Sequence, residues 1–490
     1  MATLILIIIP VLFALLVLTS NKNMSKFLSV AGACSSLIMT LFIIFLFKNT
    51  NGNSELLAWH TEWLPEIGAD FYTKIDGLNI VMILLTALVT PFIFLSVNKE
   101  KVYYSDKLFY VLMLLMQSAI FGVFIAKNLF LFYIFWELAL IPIFFIVLLY
   151  GAENRQKITF NFFVYTLMGS LFMLVAIIYL GTKTSASNFN VEQIYFVAKT
   201  LTLNEQYFLF ACFFLAFAIK IPIFPFHTWQ PNTYVVAPTQ GTMMLSALML
   251  KMGLFGLIFW LIPIAPLAWQ KLSFFLILLA AISTIYGGLM AFIQNNFKRL
   301  LAYSSMAHVG LIAAGIFAFN LASVQGAIIQ MLAHSINAVA MFYIYDIIQT
   351  RTQIDEIKKL GGIRAKNTLF SVFFIILLMD SIALPLSISF IGEFSLLYGI
   401  FQFNYYLAGF AGLSIVLGTT YMVVAYHRMM HGQTSEAAQQ FNLLNASEIF
   451  ILATLSVLVI LFGVCPNLIL NLTERDAIHL IEHVKTILNK

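Results

Sequence analysis

Six ionisable residues lie deep inside stretches that otherwise carry almost only apolar side chains. They are Glu137 in segment 129–149, Lys220 in 207–229, Lys251 in 235–261, His308 in 300–319, His334 in 322–348 and Glu393 in 369–402. At the helical rise per residue, Glu137 sits roughly 13 Å and Lys220 roughly 20 Å into its segment. A Lys or Asp at the centre of a membrane helix costs about 2.5–3.5 kcal/mol. Several such groups together rival the whole net stability of a domain, about 5–15 kcal/mol. They must therefore be paired, hydrated or functional. The chemistry that suits them is proton transfer. A lysine has a reference pKa of about 10.4, and burial can lower it by about 3–5 units, close to neutrality. A carboxylate that approaches such a lysine and leaves it makes the amine alternately hold and release a proton. Glu137 is the expected modulator, Lys220 and Lys251 the carriers, His308 and His334 the link, and Glu393 the exit or coupling group. Two further groups are weaker candidates. His227 lies near a segment end, and Asp380, just before Pro385, reads equally well as a proton site and as a buried partner for a helix end.

The elements that hold these residues are membrane helices. Of the 490 residues, 61% are hydrophobic and only 10% charged, against about 25% charged in a soluble domain. The expected fold class is an all-α polytopic membrane protein. Fourteen apolar segments are long enough to cross a layer of about 30 Å, near 2–18, 29–47, 78–97, 109–126, 129–149, 161–181, 207–229, 235–261, 272–293, 300–319, 322–348, 369–402, 404–427 and 447–471. Pro222 and Pro225 break the seventh, and Pro385 breaks the twelfth. The first segment lacks a basic start and a small-residue cleavage site, which reads as a retained helix and not a signal peptide. Most of the 26 Lys and Arg fall in odd-numbered loops, among them Lys99, Lys101, Lys107, Lys298, Arg299, Arg351, Lys358 and Lys359. The positive-inside rule then makes those loops cytoplasmic and both termini periplasmic. Arg475, Lys485 and Lys490 lie in the tail. The net charge of +5 is largely this bias and points to no nucleic acid. Loop 49–77, with Glu55, Glu62, Glu66, Asp70 and Asp76 among Trp59 and Trp63, reads as a solvated loop resting at the interface. The tail from Thr473 carries Ile478, Ile481 and Ile487 on a helical period, as an amphipathic helix lying along the membrane would.

Cys34, Cys212 and Cys465 lie within or at the edge of apolar segments, with no C-x-x-C pair, so neither a disulfide framework nor a metal site has support. No dinucleotide or Walker-type phosphate motif occurs. A repeat does. Glu137 and Lys220 are 83 residues apart, and His308 and Glu393 are 85 apart. Two five-helix units would each carry an ionisable group on the second helix and another on the broken fourth. Because five is odd, such units enter the membrane from opposite sides, the inverted repeat that transporters use. The chain then divides into 1–108 (three helices and the acidic loop), 109–261 and 262–430 (two half-channels), and 431–490 (the last helix and amphipathic tail).

Phe135-Trp136-Glu137-Leu138-Ala139-Leu140-Ile141-Pro142 resembles the fifth-helix motif of the antiporter-like subunits of respiratory NADH:quinone oxidoreductase (complex I), most closely the M-type. Ala218-Ile219-Lys220-Ile221-Pro222-Ile223-Phe224-Pro225-Phe226-His227-Thr228-Trp229 is similar to the family's broken seventh helix and Leu250-Lys251-Met252-Gly253 to its eighth. The run Lys298 to His308 is similar to the tenth, Ala333-His334-Ser335 to the eleventh and Phe390-Ile391-Gly392-Glu393-Phe394 to the twelfth. Glutamate at 393, where sister subunits carry lysine, is the M-type signal. The resemblance covers nearly the whole chain. It implies that Glu137, Lys220, Lys251, His308, His334 and Glu393 form a hydrophilic axis for protons. It also implies that NADH, flavin, iron–sulfur clusters and quinone belong to partner subunits, and that the neighbours are membrane-arm subunits, especially sister antiporter-like ones. The implied place is a bacterial-type cytoplasmic membrane. The chain departs from the family pattern after Trp229, where Gln230-Pro231-Asn232-Thr233-Tyr234 stands for Leu-Pro-Asp-Ala-His. Asn296 replaces an acid, Ala383-Leu384-Pro385-Leu386 lacks a favoured glycine, and Asp346 and Asp380 are extra charges. The rival readings are a subunit of a multi-subunit sodium/proton antiporter with no redox role, and a non-conducting scaffold.

Overall fold

The computed structural model describes every residue except 51, 53, 100, 185–187 and 490, so Lys490 of the tail lies outside the described residues. Among the described residues, twelve helices are long and apolar enough to cross a membrane, and Ile80–Leu95, Thr368–Ser381 and Ile388–Phe403 are shorter apolar helices. The protein is an all-α multi-pass membrane protein. In chain order the elements are α1 (Ala2–Thr19), α2 (Ser25–Asn49), a hairpin of β1 (Ala58–Leu64) and β2 (Ala69–Lys74), α3 (Ile80–Leu95), α4 (Lys107–Ile125), α5 (Leu129–Tyr150) and α6 (Arg155–Lys183). The short α7 (Val191–Ala198) precedes α8 (Leu203–Lys220) and α9 (Trp229–Val236), which are followed by α10 (Thr239–Ile264). Then come α11 (Pro266–Phe292), α12 (Phe297–Ala318), α13 (Leu321–Thr352), α14 (Thr368–Ser381), α15 (Ile388–Phe403), α16 (Tyr405–Met430), α17 (Ala446–Val464) and α18 (Asn467–Leu488).

Short polar side chains start many of these helices. Asp106, Asn128, Thr202, Asn296, Asn320, Asn367, Ser387, Asn404 and Asn445 each accept a bond from a backbone N–H of the first turn. Such a cap satisfies donors that lipid cannot. Packing then sorts the helices by depth. The apolar stretch of α10 is buried all round, α4, α12 and α13 are nearly so, and α1, α2, α6, α16 and α17 form a rim mostly turned outward. Leu12, Phe42, Phe160, Val416 and Phe450 are large apolar side chains exposed on that rim, as a helix bordered by hydrocarbon allows.

Two crossings are interrupted. Helix α8 stops at Lys220, where Pro222 has no N–H to continue the ladder. The freed groups find partners, since Trp229 Nε1 donates to the Ile219 carbonyl at 2.8 Å and Phe224 N donates to Ser283 Oγ at 3.2 Å. The second break separates α14 from α15. There Ala383 and Leu386 take φ of +54° and +79°, a region that favours glycine. Asp380 caps the far side, accepting from Ser389 N at 3.2 Å, and Asn337 Nδ2 donates to it at 2.8 Å. This contact with a helix end is the one that the second of its two sequence readings describes.

Two peripheral segments differ from the sequence reading. Loop 49–77 contains the antiparallel β1–β2 hairpin and so is more than a solvated loop. The hairpin anchors the start of the chain, with Thr73 Oγ1 donating to Thr3 Oγ1 at 3.0 Å. The terminal helix begins at Asn467, before Thr473, and its apolar face packs on the protein, burying Leu472, Ala477, Leu480, Ile481, Val484 and Ile487. Ile478 is exposed, because at about 100° per residue it lies roughly opposite Ile487 and about 120° from Val484. Asp476 accepts a hydrogen bond from Gly77 N, tying this strap to the segment between β2 and α3. Burial, and Asp76 across from it, push the Asp476 carboxyl above its ordinary range. We call the face that carries the hairpin and α18 the terminal face, and the other the opposite face.

Candidate functional site

The six axis residues come from six elements. Their order in space follows α5, α8, α10, α13, α12 and α15. Lys251 is fully buried in the centre of α10. The helix is locally widened into a π-turn at Leu245–Met249, a distortion found often at functional sites. The extra residue brings Lys251 above Ser246, and Nζ donates to the Ser246 carbonyl at 2.6 Å. The same Nζ lies 2.6 Å from His334 Nδ1. The rings of His334 and His308 meet edge to face with centroids 5.8 Å apart. His308 Nδ1 is 3.0 Å from Glu393 Oε1, and Gln330 Nε2 donates to the same oxygen at 3.4 Å. Lys251, His334, His308 and Glu393 thus form a continuous string of side chains through three helix interfaces. Gly392 lets α15 press against Gln330 of α13, where any Cβ would collide. A cavity of about 10 Å³ beside His308, Glu393, Ser414 and Tyr421 is close to the space one water needs.

The other two residues are less tightly joined. Lys220 is buried at the last position of α8, with Nζ 4.9 Å from the centre of the Trp136 ring. A cation over an aromatic face keeps part of the stabilisation it loses with its water. Glu137 and Lys220 lie within electrostatic reach of one another, but among the described residues no ion pair joins them. Glu137 Oε1 is buried without a hydrogen-bond partner among the described residues, and Ser170 of α6 faces the carboxyl. Gly253 brings α10 against the end of α8, since a Cβ there would lie 2.6 Å from Ile221 Cγ1. The weaker candidate His227 stands apart from the string. Its ring packs on Phe224 and Tyr286, with Nδ1 buried and without a hydrogen-bond partner among the described residues.

Sequence reasoning did not single out Trp136, Ser246 or Gln330 as participants, nor Lys298 as a buried group. Lys298 is 4% exposed, and its Nζ donates to the carbonyls of Val235 at 3.2 Å and Ala237 at 2.6 Å. One signal was present in the sequence. Lys298, Ser305 and His308 recur at helical spacing and share a face of α12. Among the described residues, no group of three His, Cys, Asp or Glu side chains could hold a metal ion.

Two interrupted helices, and buried lysine, histidine and glutamate in contact across helix interfaces, define a membrane protein of the ion-translocating class. Residues 126–419 match the family described as NADH:quinone oxidoreductase/Mrp antiporter, TM, and the chain belongs to that family. Subunit M of NADH-quinone oxidoreductase from Rickettsia typhi is 37% identical over 96% of both chains. NADH-ubiquinone oxidoreductase chain 4 of Arabidopsis thaliana is 32% identical over 98% of this chain and 97% of its own. Among solved structures, a chain of respiratory complex I from Thermus thermophilus with bound NADH superposes with TM-score 0.89 and 28% identity, covering 99% of this chain and 100% of that one. A chain of the Mrp complex from Dietzia shares the fold at TM-score 0.85 but only 17% identity.

Proposed function

We propose that this chain is the proton-translocating membrane-arm subunit of an NADH:quinone oxidoreductase, an M-type translocase subunit with no redox group of its own. The observation that carries this reading is the unbroken string Lys251–His334–His308–Glu393 inside a chain whose relatives are named subunit M and chain 4. Redox chemistry at flavin, iron–sulfur centres and quinone, fed by NADH, belongs to partner subunits. This chain supplies a proton route, with sister antiporter-like subunits as its neighbours along the membrane. Glu137 acts on Lys220 through charge, and Lys220 passes the perturbation to Lys251 across the α8–α10 contact. Lys251 exchanges a proton with His334, and His308 relays it to Glu393.

Moving one charge against the membrane potential takes about 2.3 kcal/mol per 100 mV, so the energy must arrive from the neighbouring subunits. Fourteen crossings arise when α8 with α9, and α14 with α15, each count as one. Two inverted five-helix repeats over 109–261 and 262–430 are consistent with α8 and α14 starting from opposite faces. On this reading the membrane is a bacterial cytoplasmic membrane, and the terminal face is periplasmic. The sodium/proton antiporter reading is the weaker one, because the Mrp chain shares far less sequence than the subunit M relatives.

Lys251→Ala, in the assembled complex in membrane vesicles, tests the reading through NADH-driven quinone reduction and proton uptake. Both should fall together with assembly intact. Wild-type rates of both would remove the lysine from the route and the reading with it.

A further inference from the structure

The string from Lys251 to Glu393 needs a supply of protons, and the opposite face holds a group of polar residues that the axis does not use. Tyr234 of α9 is fully buried, and its hydroxyl has no hydrogen-bond partner among the described residues. Gln230, Ser246 and Ser305 face that hydroxyl. Gln230 is also fully buried, and its Oε1 is likewise unpartnered while its Nε2 donates to the Ala302 carbonyl at 3.3 Å. Ser246 and Ser305 already bond each other at 3.0 Å. Two orphaned polar atoms beside a pair of hydroxyls are what one buried water, with about three bonds to make, would satisfy. The inner end of this cluster touches the axis, because the Ser246 carbonyl receives the Lys251 ammonium.

Its outer end is charged. Lys298 bonds the carbonyls of Val235 and Ala237, the residues just beyond Tyr234. Asp346 of α13 acts on the Lys298 ammonium, bonds Thr239 Oγ1 at 2.9 Å and pairs with Lys101 at 3.0 Å. Asp346 also lines a cavity of about 360 Å³ bordered by Lys26, Lys99, Asn445 and Glu448. The chain therefore has an acid on α13 and a hydroxyl on α9 at the end of the broken seventh segment, where its own sequence has Asn232 and Tyr234 in place of an acid and a histidine.

We propose that Tyr234, with a water held between it and Gln230, Ser246 and Ser305, relays protons from the Asp346–Lys298 vestibule to Lys251. This rests on the proton-translocating reading above. In each transfer the Tyr234 hydroxyl gives its proton to the water on its Ser246–Ser305 side as it accepts another from the vestibule side, so the ring carries no net charge. The ring itself packs edge to face on Phe342, 6.0 Å between centroids, a contact that Phe would keep.

The experiment uses the assembled complex in sealed vesicles, carrying Tyr234→Phe, Tyr234→His, Ser305→Ala or Lys251→Ala. NADH-driven quinone reduction, proton uptake and the solvent deuterium isotope effect are read for each. Tyr234→Phe is expected to slow coupled turnover about fivefold to tenfold, the scale of one net hydrogen bond, and to raise the isotope effect. Ser305→Ala should act in the same direction, and Tyr234→His, which can relay, should restore the rate. If Tyr234→Phe and Ser305→Ala run at wild-type rate while Lys251→Ala fails, the relay is wrong and the translocating reading stands. If Lys251→Ala is also unaffected, both are wrong. A slowed Tyr234→Phe with an unchanged isotope effect and no rescue by histidine makes Tyr234 a packing residue and overturns the relay.

Discussion

The two broken helices solve the same problem in different ways. In the first, α8 ends on Lys220 itself, so the charge sits at the break, over the Trp136 ring and at a distance from Glu137. In the second, the residue at the corresponding place before the break is Asp380, which caps α15. The axis residue Glu393 comes after the break, about a turn and a half into α15, and is already bonded to His308. One half is therefore open, with a lysine and a carboxylate that act on each other through space. The other is closed, a string of touching groups. An open pair has room to change its charge separation, and a closed string is suited to passing a proton along. On the proposed reading the switch sits at the first break, and the wire runs from Lys251 to Glu393.

The strongest way to break this comparison is to remove the charge at the open break. Lys220→Ala should lower NADH-driven quinone reduction and proton uptake together by about a hundredfold, the lower range for loss of a positioned proton-transfer group. Uptake that persists would place the switch elsewhere. Glu137→Gln keeps the shape of the carboxyl but removes its charge. If it acts on Lys220 through space alone, coupled turnover should drop about tenfold, the equivalent of one pKa unit, and the pH optimum should shift. An unchanged pH profile would make Glu137 a packing residue.

The second break invites a gain in stability. Leu386 is exposed and held at φ +79°, so Leu386→Gly should stabilise the subunit by about 1 kcal/mol, seen as a higher midpoint of thermal unfolding in detergent. No rise would mean that the loop relaxes without cost. The smallest expected effect lies outside the membrane. The raised Asp476 carboxyl favours docking of α18 when protonated. Docking should weaken as pH rises above the ordinary aspartate value of about 3.9 and through the raised folded value. Asp476→Asn should flatten that dependence, as followed by proteolysis of α18. A slope like that of the wild type would assign the titration to another group.

The membrane class, both breaks and the burial of Lys220, Lys251, His334 and Glu393 were legible in the sequence. The reason is that a charge or a proline in an apolar run is costly enough to stand out from its neighbours. The caps of the helices were less visible, since Asn and Ser also occur in loops. The 83- and 85-residue spacings suggested that Lys220 and Glu393 are equivalent, yet the two lie on opposite sides of their breaks. A count along the chain cannot show where a helix actually stops. The tail was read as amphipathic from its isoleucines, but which face is buried depended on what it packs against.

The sequence by itself determined the apolar helices, their interruptions and the presence of buried ionisable groups, because these follow from hydropathy and from the chemistry of proline and charge. Only the tertiary structure decided which of those groups touch. The π-turn of α10 sets Lys251 above Ser246, and the close approach of α13 and α15 at Gly392 sets Glu393 beside Gln330 and His308. Both depend on packing between helices far apart in the chain, which no local pattern encodes.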